Sequence, residues 1–349
     1  MLLFQATRVI LLTGVAFVTA LLIAPLWYRF LTRYGFGKQI RGRDAAPIYS
    51  KLHEKKSGTP TAGGVIIWGT VVLLALLFWL LSIFGILKTF NFVSRKETYL
   101  PLAALLFTAF LGLLDDWYGV LRKGGADGGG LQIRHKLVLY AAIAAVGAWW
   151  FFFKLEFSAL TIPFIHEQIP IGPFYIPLFM FVLIASAFSA NETDGLDGLL
   201  GGVALFTFVA LTAVAFVLKS YDLAVFGGAM IGALLAFLWH NIYPAKFFMG
   251  DTGAMSLGIT IGVIAMLTHT EFLLPLFAPI LVIESLSVII QIVSKRFRGK
   301  KVFLSSPLHH HFEALGWPES QVTMRFWIIS MVFSLLGVVL FFVSRLLTS

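Results

Sequence analysis

Cysteine is absent from this 349-residue chain, and charged residues are scarce. The lack of cysteine excludes disulfides, thiolate-bound zinc, iron–sulfur clusters and a cysteine nucleophile. Only 12% of the residues are charged and 59% are hydrophobic, whereas a soluble domain has about 25% charged and roughly 45–50% apolar residues. So few charges exclude a cytosolic enzyme, a nucleic-acid-binding domain and a disordered protein. The net charge of +9 is instead typical of the Lys and Arg that flank membrane helices.

Long hydrophobic runs predict an all-α polytopic membrane protein, with one integral-membrane domain over residues 1–349. A helix needs about 20 apolar residues to cross the hydrocarbon core of a bilayer. The first run, Val9–Phe30, is longer than the ~7–15 apolar residues of a signal peptide, so we interpret it as a span. We predict about ten transmembrane helices, at 8–30, 62–86, 99–114, 136–153, 174–190, 198–218, 223–240, 252–270, 272–294 and 323–345.

The distribution of Lys and Arg predicts the orientation of these spans. The loops at 31–61, 115–135, 191–197, 241–251 and 295–322, with their flanks, hold 19 of the 26 basic residues. The positive-inside rule puts these loops in the cytoplasm and both termini on the extracytoplasmic side. A nine-span alternative, left open by the short third span and the turn near His269–Glu271, would separate the termini.

Acidic residues are few, 17 in all, and five of them fall on the predicted cytoplasmic face. They are Asp115, Asp116, Asp194, Asp197 and Asp251. Carboxylates at membrane level are costly to desolvate and usually have a partner or a function. Mg²⁺ takes oxygen ligands, typically one or two carboxylates together with substrate phosphates. The neighbouring Lys and Arg suit phosphate groups, so the set favours phosphoryl transfer.

Gly250 and Gly253 flank Asp251 near the start of a predicted helix. Glycine lets the backbone approach an anion closely, and a helix N-terminus favours negative charge. The alternative interpretations are a simple turn here and helix caps for the paired Asp residues.

A histidine triplet, His309 to His311, lies in the last large loop. Three adjacent histidines cannot all face one ion from a regular helix, and zinc sites use wider ligand spacing. We therefore disfavour zinc and expect these side chains to contact phosphate or to shape the loop. Pro275 and Pro279 predict a broken or kinked membrane helix. Glu284, which follows them, indicates either a buried polar partner or the lining of a groove.

In chain order these motifs resemble those of the phospho-N-acetylmuramoyl-pentapeptide transferases, within the polyprenyl-phosphate N-acetylhexosamine-1-phosphate transferase superfamily. The resemblance covers nearly the whole chain. The motifs are Lys56-Ser57-Gly58-Thr59-Pro60-Thr61, Asp115-Asp116, Asn191 to Asp197, Phe248 to Gly253, Pro307-Leu308-His309-His310-His311-Phe312-Glu313, Gly316-Trp317 and Arg325-Phe326-Trp327. The first loop and the histidine motif are the most specific to this family.

The resemblance implies a Mg²⁺-dependent enzyme of the bacterial inner (cytoplasmic) membrane, usually a homodimer, with its active site facing the cytoplasm. It implies transfer of phospho-N-acetylmuramoyl-pentapeptide from UDP to undecaprenyl phosphate, giving lipid I and UMP in peptidoglycan synthesis. The partners are then UDP-MurNAc-pentapeptide, undecaprenyl phosphate and the lipid bilayer, with no nucleic acid.

The same resemblance implies roles for individual residues. Asp251 is the expected Mg²⁺ ligand, and Asp115 and Asp116 are expected beside the metal and the lipid phosphate, with Asp115 a candidate for removing its proton. The expected catalytic residues are Asp115, Asp116, Asp251 and His309. The expected substrate-binding residues are Lys56, Thr61, Asn191, Asp194, Asp197, Asn241, Phe248 (stacking on uracil), Gly250, Gln291, His310 and His311.

Several positions depart from the family pattern. Gly119 stands where a Lys is usual, with Lys123 a possible substitute beside the Gly124–Gly130 run; Phe188 replaces an Asn, and Glu192 replaces an apolar residue. Leu199-Leu200-Gly201-Gly202 is more typical of the N-acetylglucosamine-1-phosphate branch. A sister transferase acting on UDP-N-acetylglucosamine is therefore the alternative. A transporter is disfavoured because it predicts carboxylates near the bilayer midplane, where only Glu284 is expected.

Overall fold

In a computed structural model the chain forms a bundle of α-helices with one small β-hairpin. The structure describes residues 1–37, 56, 58–93, 96–121 and 130–348. The helices are α1 (Leu2–Arg33), α2 (Val65–Ile83), α3 (Lys96–Val120), α4 (Ile133–Lys154), α5 (Tyr175–Thr193), α6 (Leu199–Val217), α7 (Tyr221–Asn241), α8 (Gly250–Leu267), α9 (Leu274–Phe277), α10 (Pro279–Arg298), α11 (Leu308–Ala314) and α12 (Glu319–Thr348). Strands β1 (Ala159–Leu160) and β2 (Ile169–Pro170) pair antiparallel.

Nine helices of the described part of the chain are long and apolar enough to cross a membrane. They are α1 to α8 and α12. The prediction of an all-α polytopic membrane protein is confirmed at this level. The ninth predicted span, 272–294, is divided: α9 and α10 are separated at Ala278, whose φ of −130° and ψ of 53° are not helical. Pro279, which lacks a backbone N–H, begins α10.

α10 is apolar outside and polar inside. Its buried polar residues are Glu284, Ser285, Ser287, Gln291 and Ser294. Its exposed apolar residues include Leu286, Ile289, Ile290, Ile292 and Val293. This arrangement is the reverse of a soluble amphipathic helix, so the outer face suits lipid and the inner face can shape a polar site.

The third span is longer than the sequence predicts. We expect 99–114, but α3 continues to Val120, so Asp115 and Asp116 lie within its last turns rather than beyond its end. Both carboxylates have partners on other helices, described below, and these contacts compensate for placing acidic residues inside the helix.

α8 lies at the centre of the bundle and carries Asp251 in its first turn. It packs between α3 and α5 through glycines that let backbones touch. A Cβ on Gly112 of α3 would overlap the Asp251 backbone, and one on Gly253 would press on Gly64. Small residues at helix contacts are the usual solution in membranes, where the hydrophobic effect does not drive helices together. This packing fixes the height of Asp251 relative to α3.

α1 and α7 form another close pair. Gly228 and Gly232 of α7 lie against Thr13 of α1, and a Cβ on either would collide with it. At the end of the bundle remote from Asp251, Arg8 Nη2 lies 2.9 Å from Asp222 Oδ1. This pair holds the two helices in register.

Candidate active site

A lysine lies between two carboxylates where α3, α4 and α8 meet. Lys136 Nζ is 2.7 Å from Asp115 Oδ2 and 2.9 Å from Asp251 Oδ2. The Leu131 backbone N–H donates to Asp115 Oδ1, and Asn191 Nδ2 donates to Asp251 Oδ1. Asp115 is 1% exposed, whereas the Asp251 side chain is 25% exposed. Asp251 is therefore the carboxylate that a ligand can reach.

Sequence reasoning missed Lys136. The family pattern predicts a lysine at position 119, but this chain has Gly119 there, in the last turn of α3. The possible substitute, Lys123, lies outside the described residues. In the sequence, Lys136 is only one more basic residue at the start of a predicted span. The available signal is its position on the same predicted face as the Asp pair.

Asp116 caps the start of α8. Its Oδ1 accepts the Asp251 backbone N–H and its Oδ2 accepts the Thr252 N–H, both at 3.1 Å, and Thr61 Oγ1 donates to Oδ1 at 3.3 Å. Gly250 has a φ of +75°, and a Cβ there would lie 2.5 Å from Asp116 Oδ2. Asp116 thus uses its oxygens to hold the helix that presents Asp251, and Gly250 permits that approach.

Lys56 contacts the turn that follows α5 and is not part of the Lys136 cluster. Its Nζ is 2.6 Å from Asp197 Oδ1 and 2.5 Å from Glu319 Oε1. It also lies 5.8 Å from the ring centroids of Tyr243 and Phe248, a cation–π distance. Phe248 is half-buried. The expected Lys56 and Phe248 therefore lie close together, and the contact of Glu319 with Lys56 was not foreseen.

Asn241 is the last residue of α7, and both ends of its side-chain amide form hydrogen bonds within the protein. Its Oδ1 accepts the Gly198 N–H at 3.0 Å and its Nδ2 donates to the Phe247 carbonyl at 2.8 Å. It is 5% exposed. The side chain joins the α5–α6 turn to the segment that carries Phe248, so it shapes the cleft from behind.

The late motifs brace one another. Gln291 Oε1 accepts the N–H groups of Val302 and Phe303 at 2.9 and 3.0 Å, and its Nε2 donates to the Phe303 carbonyl at 2.8 Å. The half-buried His311 accepts the Leu304 N–H through Nδ1 at 3.2 Å. Gln291 and His311 therefore order the loop between α10 and α11.

The other two histidines each face a glutamate. His310 Nδ1 is 2.7 Å from Glu313 Oε2, and His309 Nδ1 is 3.1 Å from Glu284 Oε2. His309 and Glu284 are both 0% exposed. Glu284 thus has a buried polar partner, which is the first of the two alternatives that the sequence indicates.

Asp194, the remaining expected substrate-binding residue, lies where α5 ends, close to two of the positions that depart from the family pattern. Asp194 is the C-cap of α5, and Glu192 lies in its last turn. Gly198, with a φ of +74°, is the N-cap of α6. Phe188 is half-buried one turn before Asn191. The structure therefore gathers the predicted residues at one end of the bundle.

Known proteins are similar to this chain over nearly its whole length. A protein from Anoxybacillus flavithermus named phospho-N-acetylmuramoyl-pentapeptide-transferase is 39% identical over 332 residues, covering 95% of this chain and 97% of the relative. A Geobacillus protein of the same name is 40% identical over 328 residues, covering 93% and 94%. The chain belongs to the phospho-N-acetylmuramoyl-pentapeptide-transferase family. The resemblance inferred from the motifs is thereby confirmed.

The sequence profile of Glycosyl transferase family 4 matches residues 99–269. In this chain, that region contains Asp115, Lys136, Asn191 and Asp251. Lys56 and the histidine motif lie outside it. The broader profile therefore covers the carboxylate–lysine cluster, while the motifs specific to the transferase family lie on both sides.

Proposed function

We propose that this transferase moves phospho-N-acetylmuramoyl-pentapeptide from UDP to undecaprenyl phosphate, giving lipid I and UMP in peptidoglycan synthesis. The observation that carries the proposal is the Asp115–Lys136–Asp251 cluster in a polytopic chain whose full-length relatives bear that name. A diphosphate substrate needs fixed positive charge and metal-binding oxygens at one place, and this cluster offers both.

The reaction exchanges one phosphorus–oxygen bond for another. An oxygen of undecaprenyl phosphate bonds to the phosphorus that carries the sugar. The bond from that phosphorus to the bridging oxygen breaks, and UMP leaves with the electron pair. Little covalent work is left for the protein, so positioning and charge neutralisation dominate. Lys136 is placed to neutralise phosphate charge when a ligand approaches Asp251.

The residues fit a divalent hard cation such as Mg²⁺. Asp115 Oδ2 and Asp251 Oδ2 both lie within 2.9 Å of one cationic atom, Lys136 Nζ, so the two carboxylates already converge on a positive centre. One or two carboxylates completed by substrate phosphates form a usual Mg²⁺ ligand set. Bound Mg²⁺ supplies charge stabilisation at the diphosphate. Asp251, the more exposed of the two, is the proposed principal ligand.

We assign Asp115 an organising role rather than that of a base. Its oxygens are taken up by Lys136 and the Leu131 N–H. The second pKa of a phosphate monoester is near 6, so undecaprenyl phosphate is largely a dianion at neutral pH. Removing a proton adds little to such a nucleophile, whereas holding Lys136 in place affects every turnover.

The nucleotide end of the cleft is assigned to Lys56, Asp197 and Phe248. A half-buried aromatic ring beside a lysine suits a planar base that also accepts hydrogen bonds. Asn191, which donates to Asp251, connects this end to the metal end. Asp194, Gly250, Thr61 and Asn241 support the cleft walls.

The lipid is assigned to the outer face of α10. Its exposed Leu286, Ile289 and Val293 suit an isoprenoid chain, and its last turn carries Lys295, Arg296 and Arg298. We propose that α9 and α10 together complete a tenth crossing in the inner membrane, with both termini extracytoplasmic and the site facing the cytoplasm. Labelling of single cysteines introduced near each terminus of this cysteine-free chain tests that orientation in cells.

The homodimer implied by the resemblance stays a prediction. Leu22 of α1 and Leu335 of α12 are 67% and 64% exposed, so these helices have apolar faces for lipid or for a second copy. Light scattering of the purified protein in detergent distinguishes a monomer from a homodimer by mass.

The deciding experiment is UMP release by purified protein with undecaprenyl phosphate and Mg²⁺. The donors are UDP-MurNAc-pentapeptide and, in parallel, UDP-N-acetylglucosamine. We expect turnover of the pentapeptide donor alone, its loss in Asp251→Ala, and no change in Glu167→Ala, an exposed residue far from the site. Turnover of UDP-N-acetylglucosamine alone assigns the chain to the sister activity.

A further inference from the structure

The imidazole of His309 is enclosed between α10 and the turn that follows α5. It is 0% exposed. On one side its Nδ1 lies 3.1 Å from Glu284 Oε2. On the other side its Nε2 faces Gly195 so closely that a Cβ on Gly195 would overlap the ring. Neither ring nitrogen has a hydrogen bond of good geometry among the described residues, so the contact of Nδ1 with Glu284 is one of charge and proximity. The ring therefore separates a buried carboxylate from the backbone of the turn.

Glu284 is committed to His309. Besides the ring contact, its Oε1 accepts the His309 backbone N–H at 3.1 Å. Burial opposes protonation of the ring, but Glu284, with Glu313 and Glu192, outweighs it and raises the pKa of His309 above its usual value. An isolated buried carboxylate is costly, so the two side chains depend on each other.

The turn that rests on His309 connects both ends of the cleft. Before it, Asn191 donates to Asp251. Within it, Asp197 Oδ1 lies 2.6 Å from Lys56 Nζ. A displacement of the turn away from His309 would move both contacts together.

We propose that Glu284 and His309 form a positioning pair. The ring sets the height of residues 193–198 and thereby places Asn191 at the metal end and Asp197 at the nucleotide end. In this role His309 acts through the turn and does not touch the reacting phosphates, unlike the catalytic role that the family resemblance implies. The kinetic readout rests on the proposed function.

A double-mutant cycle on Gly195 and His309 tests the contact. Gly195→Ala adds the overlapping methyl, so we expect KM for the UDP donor to rise roughly tenfold or more while kcat falls less than about threefold. His309→Ala makes room for that methyl. The double variant should therefore recover about tenfold in KM relative to Gly195→Ala, a coupling that independent sites do not show.

The opposite kinetic pattern overturns the proposal. If His309→Ala lowers kcat by orders of magnitude at unchanged KM, and the double variant is no better than the worse single variant, His309 acts on the reacting atoms. Glu284→Gln keeps the hydrogen-bond acceptor and Glu284→Ala removes it. We expect the Gln variant to retain a lower KM than the Ala variant.

Amide hydrogen exchange of residues 193–198 provides a readout that does not depend on a UDP-linked substrate. We expect faster exchange in Glu284→Ala, an intermediate rate in Glu284→Gln, and the wild-type rate in Glu167→Gln. Unchanged exchange in a folded Glu284→Gln and in His309→Ala contradicts the positioning pair. If the Glu284 variants exchange faster than the wild type but the wild-type protein turns over neither UDP donor, the proposed function is contradicted and the positioning pair stands.

Discussion

Lys136 Nζ lies 2.7 Å from Asp115 Oδ2, although the two residues belong to different helices and are separated by a loop. The same Nζ reaches Asp251, 2.9 Å away. One lysine thus forms ion pairs with two carboxylates at the centre of the proposed site. Its removal leaves two negative charges facing each other in a confined space, which is costly because neither charge is then compensated.

The first prediction concerns this lysine. Lys136→Met should lower kcat by roughly 10²–10³, because the fixed charge that stabilises the diphosphate is lost. UMP release with the pentapeptide donor measures the effect. Lys246→Met is the matched control, since Lys246 is exposed and outside the carboxylate cluster. Near-wild-type turnover of a folded Lys136→Met protein contradicts the assignment.

The second prediction concerns the cap on α8. Asp116→Ala removes the acceptor for the Asp251 and Thr252 N–H groups, so we expect about 1–3 kcal/mol of lost stability. Asp116→Asn keeps one carbonyl oxygen and should fall between Ala and wild type. The melting temperatures of the three proteins in detergent, without substrate, show whether stability falls from wild type to Asp116→Asn to Asp116→Ala. Equal melting temperatures for all three proteins rule out the capping role.

The third prediction concerns Asn241. Its Nδ2 donates to the Phe247 carbonyl, so Asn241→Asp places a carboxylate oxygen against a carbonyl oxygen in a buried position. The nearly isosteric change should cost roughly 1–3 kcal/mol and lower the melting temperature, although the shape is preserved. Asn91→Asp, at a half-buried site remote from the cleft, provides a comparison. A melting temperature no lower than that of the comparison shows that the amide orientation does not matter.

The fourth prediction is a pH dependence at the other end of the bundle. Glu271 is 8% exposed, and both of its carboxylate oxygens are buried. Burial raises the pKa of Glu271 from 4.5 to about 7. The folded protein therefore binds this proton more tightly than the unfolded chain, and stability should fall as pH rises from 4.5 to about 7.

Glu271→Gln removes that dependence. The difference in melting temperature between Glu271→Gln and wild type should be small near pH 4.5 and grow to a plateau above about pH 7, equivalent to roughly 3 kcal/mol. Glu167→Gln, an exposed site in the hairpin loop, should show no such growth. A difference in melting temperature that stays constant across this pH range means that folding does not raise the pKa of Glu271.

The predicted spans succeed where the signal is a long apolar run and fail where a tertiary contact changes a helix. α3 extends past 114 because Asp115 and Asp116 find partners on other elements. The span at 272–294 divides at Ala278, and α10 continues to Arg298. Proline predicted the break, but its position and the inverted polarity of α10 depend on what packs beside it.

Within the site, motif reasoning identified residues by type and could not assign their contacts. Asn241 is in place, but its amide is used between Gly198 and Phe247. Gln291 is in place, but it holds the loop at Val302 and Phe303. A polar residue in a motif has the same sequence signal whether it faces a ligand or braces the backbone.

The sequence by itself determined the membrane class, the family and the set of scarce carboxylates, because composition, run length and motif order can be read along the chain. Only the tertiary structure decided that Lys136 pairs with both Asp115 and Asp251, that Asp116 caps α8, and that Glu284 faces His309. These pairs join residues far apart in the chain. Their geometry depends on how helices approach at glycines such as Gly112 and Gly253, and no local pattern contains that information.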